Sequence, residues 1–367
     1  MTKIAVVHFQ PIEEYPPVMN FINSIAEEQN IDCKVYTLND KVKNWFALKT
    51  CQIFRIGSPS LIPFKRYWGY FIFNLITFLK LILTRPQIVI AYETYSIIPV
   101  FLYKKLYSQS KIFIHYHEYI SPNEIKNSSS YYNFIHFFEK KLFTTCDFIS
   151  QTNSDRLELF LVNNPTIEKS KTFAAPNMPP NNWHQFAIDN NKINDTGVVK
   201  LVHVGALGLE SMYVKEMIDW VSSQNGKYSI DFYTSNISAE AKKLFANVQN
   251  EYVKLLGPKN YFELPKILIK YDIGVTLYNG HIPNYVYNVP NKVFEYLACG
   301  LNVWYSSELI STQKFVEQND IKGCQKIDFL NFNIQQGATF NTFNENGFFE
   351  KTTNTLKEKV LALLNEY

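Results

Sequence analysis

Lys292 and Glu295 stand three residues apart in the stretch NVPNKVFEYLACGLNV, residues 288–303. On a helix that spacing sets an ammonium and a carboxylate on one face, within a turn of each other. Pro290 suits a first helical turn, because its missing N–H would lack a partner there anyway. Asn288 can cap. The N–H groups of Asn291, Lys292 and Val293 then point out of the helix start, and a diphosphate fits such an anion site. Lys292 adds a full charge. Glu295, one turn further in, can accept two hydrogen bonds, which suits a ribose diol. Val293, Phe294, Leu297 and Ala298 supply a packing face, and Gly300 closes the helix. The same spacing equally describes an ordinary amphipathic helix with a solvated Lys–Glu pair, so the surrounding elements carry the argument further.

Those elements alternate. KIAVVHF, DCKVYTL, QIVIAY (87–92), KIFIHYHEY (111–119) and DFISQT read as strands, with helices between them near VMNFINSIAEEQ, PVFLYKKLY and YYNFIHFFEKKLFTTC. A polar linker near 178–197 follows. The pattern then restarts with VKLVHVGAL, YSIDFYT, YVKLLG, DIGVTLY and NVWYS as strands, again alternating with helices. Such alternation means parallel sheets covered on both faces. The sequence therefore predicts two doubly wound, Rossmann-like α/β domains facing a cleft. Parallel sheets take ligands at the carboxyl ends of their strands. In the second half those points are Gly205-Ala206-Leu207-Gly208, Gly257-Pro258, Tyr278-Asn279-Gly280 and the loop before Lys292. No G-x-G-x-x-G fingerprint and no P-loop occurs, which argues against dinucleotide hydride transfer and P-loop phosphoryl transfer.

Composition bounds the rest. The 367 residues are 46% apolar and 19% charged, with a net charge of +3, the size of two domains at about 150 residues each. Five cysteines without a C-x-x-C make a disulfide framework or zinc site unexpected and fit a reducing cytoplasm. The N-terminus turns polar too soon for a signal peptide. YFIFNLITFLKLIL, residues 70–83, is interrupted by Asn74 and Lys80 and reads as a packed helix, since a span needs about 20 apolar residues. Residues 41–140 hold 13 Lys and Arg against 4 Asp and Glu, a net of +9, leaving −6 for the remainder. The basic half is either a solvated surface or a face drawn to an anionic surface, lipid or polyanion.

PNKVFEYLACGLNV resembles the donor-site motif of family-4-type retaining glycosyltransferases of the GT-B fold, in the polysaccharide and lipopolysaccharide assembly branch. Other pieces are similar in order: KIFIHYHEY, FISQTNSDRLELF, AAPNMP, LVHVGAL and YDIGVTLY. The resemblance covers most of the chain. It implies an acceptor domain over 1–180, a nucleotide-sugar donor domain over 181–345, and a C-terminal helix (346–367, its core near 348–364) packing back toward the first domain. It implies that Glu295 holds the donor ribose and that Lys292 lies by the diphosphate. Gly205, Ala206, Asn291 and Val293 would present backbone to the phosphates. The edge from Gly257 to Leu264 would meet the base, and Tyr278 would line the site. His117 would face the transferred sugar, with His115 as its backup. The donor the resemblance implies is a UDP- or GDP-linked sugar, a substrate rather than a cofactor, and the implied acceptor is a glycan or lipid-linked hydroxyl. No D-x-D or other aspartate cluster calls for a metal. The expected setting is the cytoplasm, peripheral to an anionic membrane, with no nucleic-acid partner.

The chain departs from the family's pattern in three places. Tyr287 stands eight before Glu295, where many relatives carry a second glutamate. GALGLESMYVKEM has no Arg, and Lys215 is the nearest cation. Asn302 replaces the motif's last Pro. A catalytically silent nucleotide-sugar-binding subunit would account for those losses, and a GT-B sugar-nucleotide epimerase is the other alternative. A nucleic-acid binder would need its basic residues gathered into a motif, and here they are scattered.

Overall fold

A computed structural model of the chain describes residues 1–39, 46–60, 62–188, 197–334 and 355–363. They fall into two compact units, Met1–Pro176 with Asn354–Tyr367, and Asn177–Thr353.

The first unit holds a seven-stranded parallel sheet. Its strands are β1 (Thr2–His8), β2 (Ile31–Thr37), β3 (Cys51–Arg55), β4 (Ile88–Tyr92), β5 (Lys111–Tyr116), β6 (Phe148–Gln151) and β7 (Thr172–Ala174), in the spatial order β3-β2-β1-β4-β5-β6-β7. Between them run α1 (Pro16–Ala26), α2 (Pro63–Thr84), α3 (Ile97–Leu106), α4 (Pro122–Lys126), α5 (Ser130–Phe143) and α6 (Ser154–Asn163). β4 is IVIAY, buried at every position. A strand covered on both faces has no polar side to alternate with. The edge strands β3 and β7 are mostly half-exposed, so their apolar signal is weak and the sequence pattern passed over them.

The second unit begins with α7 (Trp183–Ile188) and carries a six-stranded parallel sheet. β8 (Val199–Val204), β9 (Tyr228–Tyr233), β10 (Val253–Leu256), β11 (Ile273–Thr276), β12 (Asn302–Ser306) and β13 (Cys324–Ile327) lie in the order β10-β9-β8-β11-β12-β13. α8 (Val214–Ser223), α9 (Ala239–Ala246), α10 (Leu264–Leu268), α11 (Pro283–Val286), α12 (Asn291–Ala298) and α13 (Ile310–Gln318) connect them. The stretch predicted as a linker therefore contains a helix, and its Trp183 is buried in the second unit.

In each sheet the chain winds outward on one side and then crosses to the other. The crossing lies between β1 and β4 in the first sheet and between β8 and β11 in the second. Ligands of doubly wound sheets sit beyond the carboxyl ends of such a strand pair. The last described helix, α14 (Thr355–Ala362), packs on α1 of the first unit, where Lys357 pairs with Glu28 at 2.6 Å and Val360 is buried. The remaining ends of the predicted C-terminal helix, 348–354 and 364, lie outside the described residues.

Candidate functional site

α12 starts beyond the carboxyl end of β11, at the crossing point of the second sheet. Its boundary differs from the sequence reading. Pro290 is the capping residue itself, with φ −61° and ψ 144°, and no side chain caps the helix. The Asn288 carbonyl instead accepts the Thr312 hydroxyl at 2.8 Å. The Val293 N–H turns back to the Pro290 carbonyl at 2.9 Å, so it is not an open donor. Among the described residues no acceptor meets the N–H groups of Asn291 and Lys292. The other end closes as expected. Gly300 takes φ 76°, its N–H bonds to Leu297 O, and Leu301 N–H bonds to Tyr296 O. That double return is a Schellman motif, and its left-handed residue favours glycine.

Positions 293–298 of α12 are all buried. Glu295 is among them, only 1% exposed, with Oε2 accepting from Lys292 Nζ at 2.5 Å. Burial pushes the Glu295 carboxyl up from its ordinary value, while the Lys292 charge and hydrogen bond draw it back down. The Lys292 ammonium lies 6.0 Å from the Tyr261 ring, which in turn packs on Trp183 at 5.0 Å.

Tyr296 ties this helix to the end of β8. Its hydroxyl oxygen accepts the Val204 N–H at 2.9 Å. Its ring fills the space over Gly274 in β11, where an added Cβ would lie 2.1 Å from it. Gly205 follows Val204 with φ 147°, a conformation that favours glycine. Its own N–H is committed to the Tyr233 carbonyl at 3.0 Å. The N–H of the exposed Ala206 meets no acceptor among the described residues. Beneath the loop, His203 is buried and donates from Nδ1 to the Val275 carbonyl at 2.9 Å. Its Nε2 lies 3.4 Å from the Ala206 carbonyl; burial lowers its pKa, with the Lys292 charge acting the same way and the Val275 and Ala206 carbonyls opposing.

Other predicted residues lie differently. Lys215 is exposed and pairs at 2.5 Å with Asp219, one turn further along α8, which draws its ammonium away from the strand-end loop. Leu264 is a core residue at the start of α10, and Gly257 is exposed with open space where a Cβ would stand. Within that edge it is Tyr261 that reaches Lys292. The Tyr278 ring packs at a tilt on Tyr285, with centroids 4.9 Å apart, and Tyr278 is bridged to Met212.

In the first unit, His117 follows the end of β5 and is buried rather than open. Its ring stacks on Tyr92 at 5.1 Å and meets His115 edge-on at 4.8 Å. Among the described residues neither ring nitrogen has a hydrogen-bond partner. Burial, together with His115, His8 and Arg156, holds its pKa well below the ordinary value. His115 is deeper and bonded to Ser150 Oγ at 2.7 Å. Glu93, just past β4, went unnoticed in the sequence although the strand-end rule points to it. It adopts φ 61° and accepts the His117 N–H on Oε1 at 2.6 Å. Burial, with the Glu118 charge, raises its pKa to about 8. A cavity of 140 Å³ opens here, at the crossing point of the first sheet, lined by His8, Tyr15, Glu93, Glu118 and Tyr132 among others.

Glycosyltransferases share this architecture. Anabaena HepE in complex with UDP superposes with a TM-score of 0.61 at 10% identity, over 84% of this chain and 81% of that one. The lipopolysaccharide outer core galactosyltransferase WaaB gives 0.53 at 17% identity, over 83% and 80%. The UDP-GlcNAc 2-epimerase of Methanocaldococcus jannaschii gives 0.54 at 14%, over 89% of each chain. The chain has the GT-B fold. No protein-family model matches it, and no curated protein matches it by sequence. At these identities the likeness establishes the fold, and the site residues must argue the chemistry.

Proposed function

We propose that the protein is a glycosyltransferase that takes a sugar from a UDP- or GDP-linked donor to a hydroxyl of a glycan or lipid-linked acceptor in surface polysaccharide assembly. The observation that carries this reading is the buried Lys292–Glu295 pair at the start of α12, beside the open N–H groups of Asn291 and Lys292. A carboxylate is costly to bury unless its partners are strong. With no donor present, Lys292 is that partner. When a donor arrives, the ribose hydroxyls bond to Glu295 and the ammonium turns to the diphosphate, so each charge exchanges one partner for another. The HepE structures with UDP and with UDP-glucose support a donor of this class.

As the sugar bond breaks, negative charge grows on the leaving diphosphate. The helix-start N–H groups, the Ala206 N–H and the Lys292 ammonium stabilise it without reorganising. The reaction so assigned is retaining and needs no metal. The setting is the cytoplasmic face of a membrane.

Titration calorimetry with UDP, GDP and their nucleosides tests the site. Charge-assisted hydrogen bonds contribute about 1.5–3 kcal/mol each, so Glu295→Gln is expected to weaken UDP or GDP roughly tenfold to a hundredfold. Lys292→Ala is expected to weaken the diphosphate more than the nucleoside. Unchanged binding of every ligand to Glu295→Gln would sink the assignment. Tight binding with no turnover of any donor would identify a silent subunit.

A second reading has its own support. The first unit holds the carboxyls of Glu93, Glu118 and Glu139 around its cavities, and the epimerase above shares the fold. Incubation with UDP-GlcNAc and no acceptor separates the two, because an epimerase changes the sugar at C2 by itself, whereas a transferase releases UDP only when an acceptor hydroxyl takes the sugar.

A further inference from the structure

α2 is 22 residues long and carries an apolar face that nothing in the described chain covers. Phe64, Trp68, Phe71, Leu75, Leu79 and Leu83 are 80%, 58%, 54%, 41%, 48% and 80% exposed. Their spacings of four, three, four, four and four residues keep them along one side of a helix. Phe73, Thr77 and Leu81 are fully buried on the opposite side, and Phe73 and Leu81 belong to the core of the first unit. α2 is further pinned through Tyr70, whose ring stacks on Tyr131 at 4.4 Å, and through Asn74, which donates to the Tyr131 hydroxyl at 3.1 Å. The segment Phe64–Thr84 is long and apolar enough to cross a bilayer, but a helix with one face built into a sheet domain cannot be surrounded by lipid. It can lie in the plane of an interface.

Charge selects the occupant. α2 with the residue that closes it, residues 63–85, contains Lys65, Arg66, Lys80 and Arg85 and no Asp or Glu. Lys65 and Arg66 are exposed at the aromatic start of α2, and Arg85 is exposed at its end. A second copy docked on this face by two-fold symmetry would set the same basic rim against itself. Anionic headgroups would neutralise it. Trp68 and its neighbouring aromatic rings suit the headgroup level of a bilayer.

We propose that α2 lies flat in the surface of an anionic bilayer, with the Phe64–Leu83 stripe inserted among the lipid chains and the basic residues at the headgroups. This does not rest on the donor-site reading and would stand if UDP failed to bind.

Co-sedimentation of the full chain with vesicles of phosphatidylcholine, with and without phosphatidylglycerol, tests it. The parent is expected to partition onto the anionic vesicles, less so onto neutral ones, and to release as salt rises. Trp68→Glu/Leu75→Glu replaces exposed residues only, so its melting temperature should match the parent's. It is expected to lose about tenfold or more in partitioning, since a charge inserted among lipid chains is strongly disfavoured. Lys65→Gln/Arg66→Gln keeps the stripe and is expected to lose the preference for anionic lipid. The proposal is overturned if the parent stays in solution with both vesicle types. It is equally overturned if the Glu variant partitions as the parent does, or if the parent is a dimer that this variant splits while neither binds vesicles.

Discussion

Three buried ionisable residues set the chemistry of the individual sites. Glu295 is kept in place by the Lys292 ammonium, and the proposed ribose contact follows from that exchange of partners. Burial lowers the His203 pKa, so its ring adds no positive charge beneath the strand-end loop. Glu93 offers a test that needs no ligand. Its pKa is about 8 in the folded chain against an ordinary 4.5. Below about pH 4.5 both folded and unfolded chains hold the proton, and the residue costs nothing by ionising. Between 4.5 and 8 the unfolded chain gives up the proton while the folded one keeps it, so stability falls as pH rises. Above 8 the difference stays constant. Glu93→Gln preserves an acceptor for the His117 N–H and removes the titration. Its stability gain over the parent is expected to grow from pH 5 to pH 8, on the order of a few kcal/mol, and then level off. A gap independent of pH in urea titrations would show that Glu93 ionises without hindrance.

At the scale of elements, α12 is the part on which the donor site depends. It is buried along most of its length, anchored to β8 through the Tyr296 hydroxyl and seated on β11 over Gly274. That seating is tight in one direction only. Gly274→Ala drives a methyl into the Tyr296 ring and is expected to cost about 3 kcal/mol, the upper part of the usual range for overpacking. Tyr296→Phe keeps the ring but leaves the buried Val204 N–H without its acceptor, an expected loss of about 1–3 kcal/mol. Because Val204 leads into Gly205 and Ala206, both changes are also expected to weaken UDP or GDP binding. Thermal melts with and without nucleotide check both effects. Nucleotide affinity unchanged in Tyr296→Phe would separate the loop from the site.

At the scale of the whole molecule, each unit has its own apolar core, and the first is closed by α14 from the far end of the chain. Val360 is fully buried there. Val360→Asp places a carboxylate in that contact within the first unit, an expected loss of about 3 kcal/mol. In calorimetry it should lower the melting of the first unit, whereas UDP should raise that of the second. One transition moved equally by both would mean that the two units unfold together.

The periods of the sequence already determined much of this. Buried parallel strands such as β4 and β1 are continuous apolar runs, and an alternating series of them leaves little choice of fold class. The Schellman end at Gly300 was legible for the same local reason, since a left-handed residue favours glycine. The pairing of Lys292 with Glu295 followed from helical spacing alone. Tertiary structure decided what spacing cannot express. Whether a polar side chain is buried depends on what other segments bring over it: Trp183 and Tyr261 are distant in sequence from Lys292, and Glu93 meets His117 only because β4 and β5 are neighbours. Lys215 found its partner, Asp219, within its own helix, whereas the same reason moved Leu264 into the core. It also split α2, whose apolar residues look alike in sequence, into a face that packs and a face that does not. A strand or helix carries its period within itself, but its partners come from elsewhere in the chain, and only the folded packing chooses them.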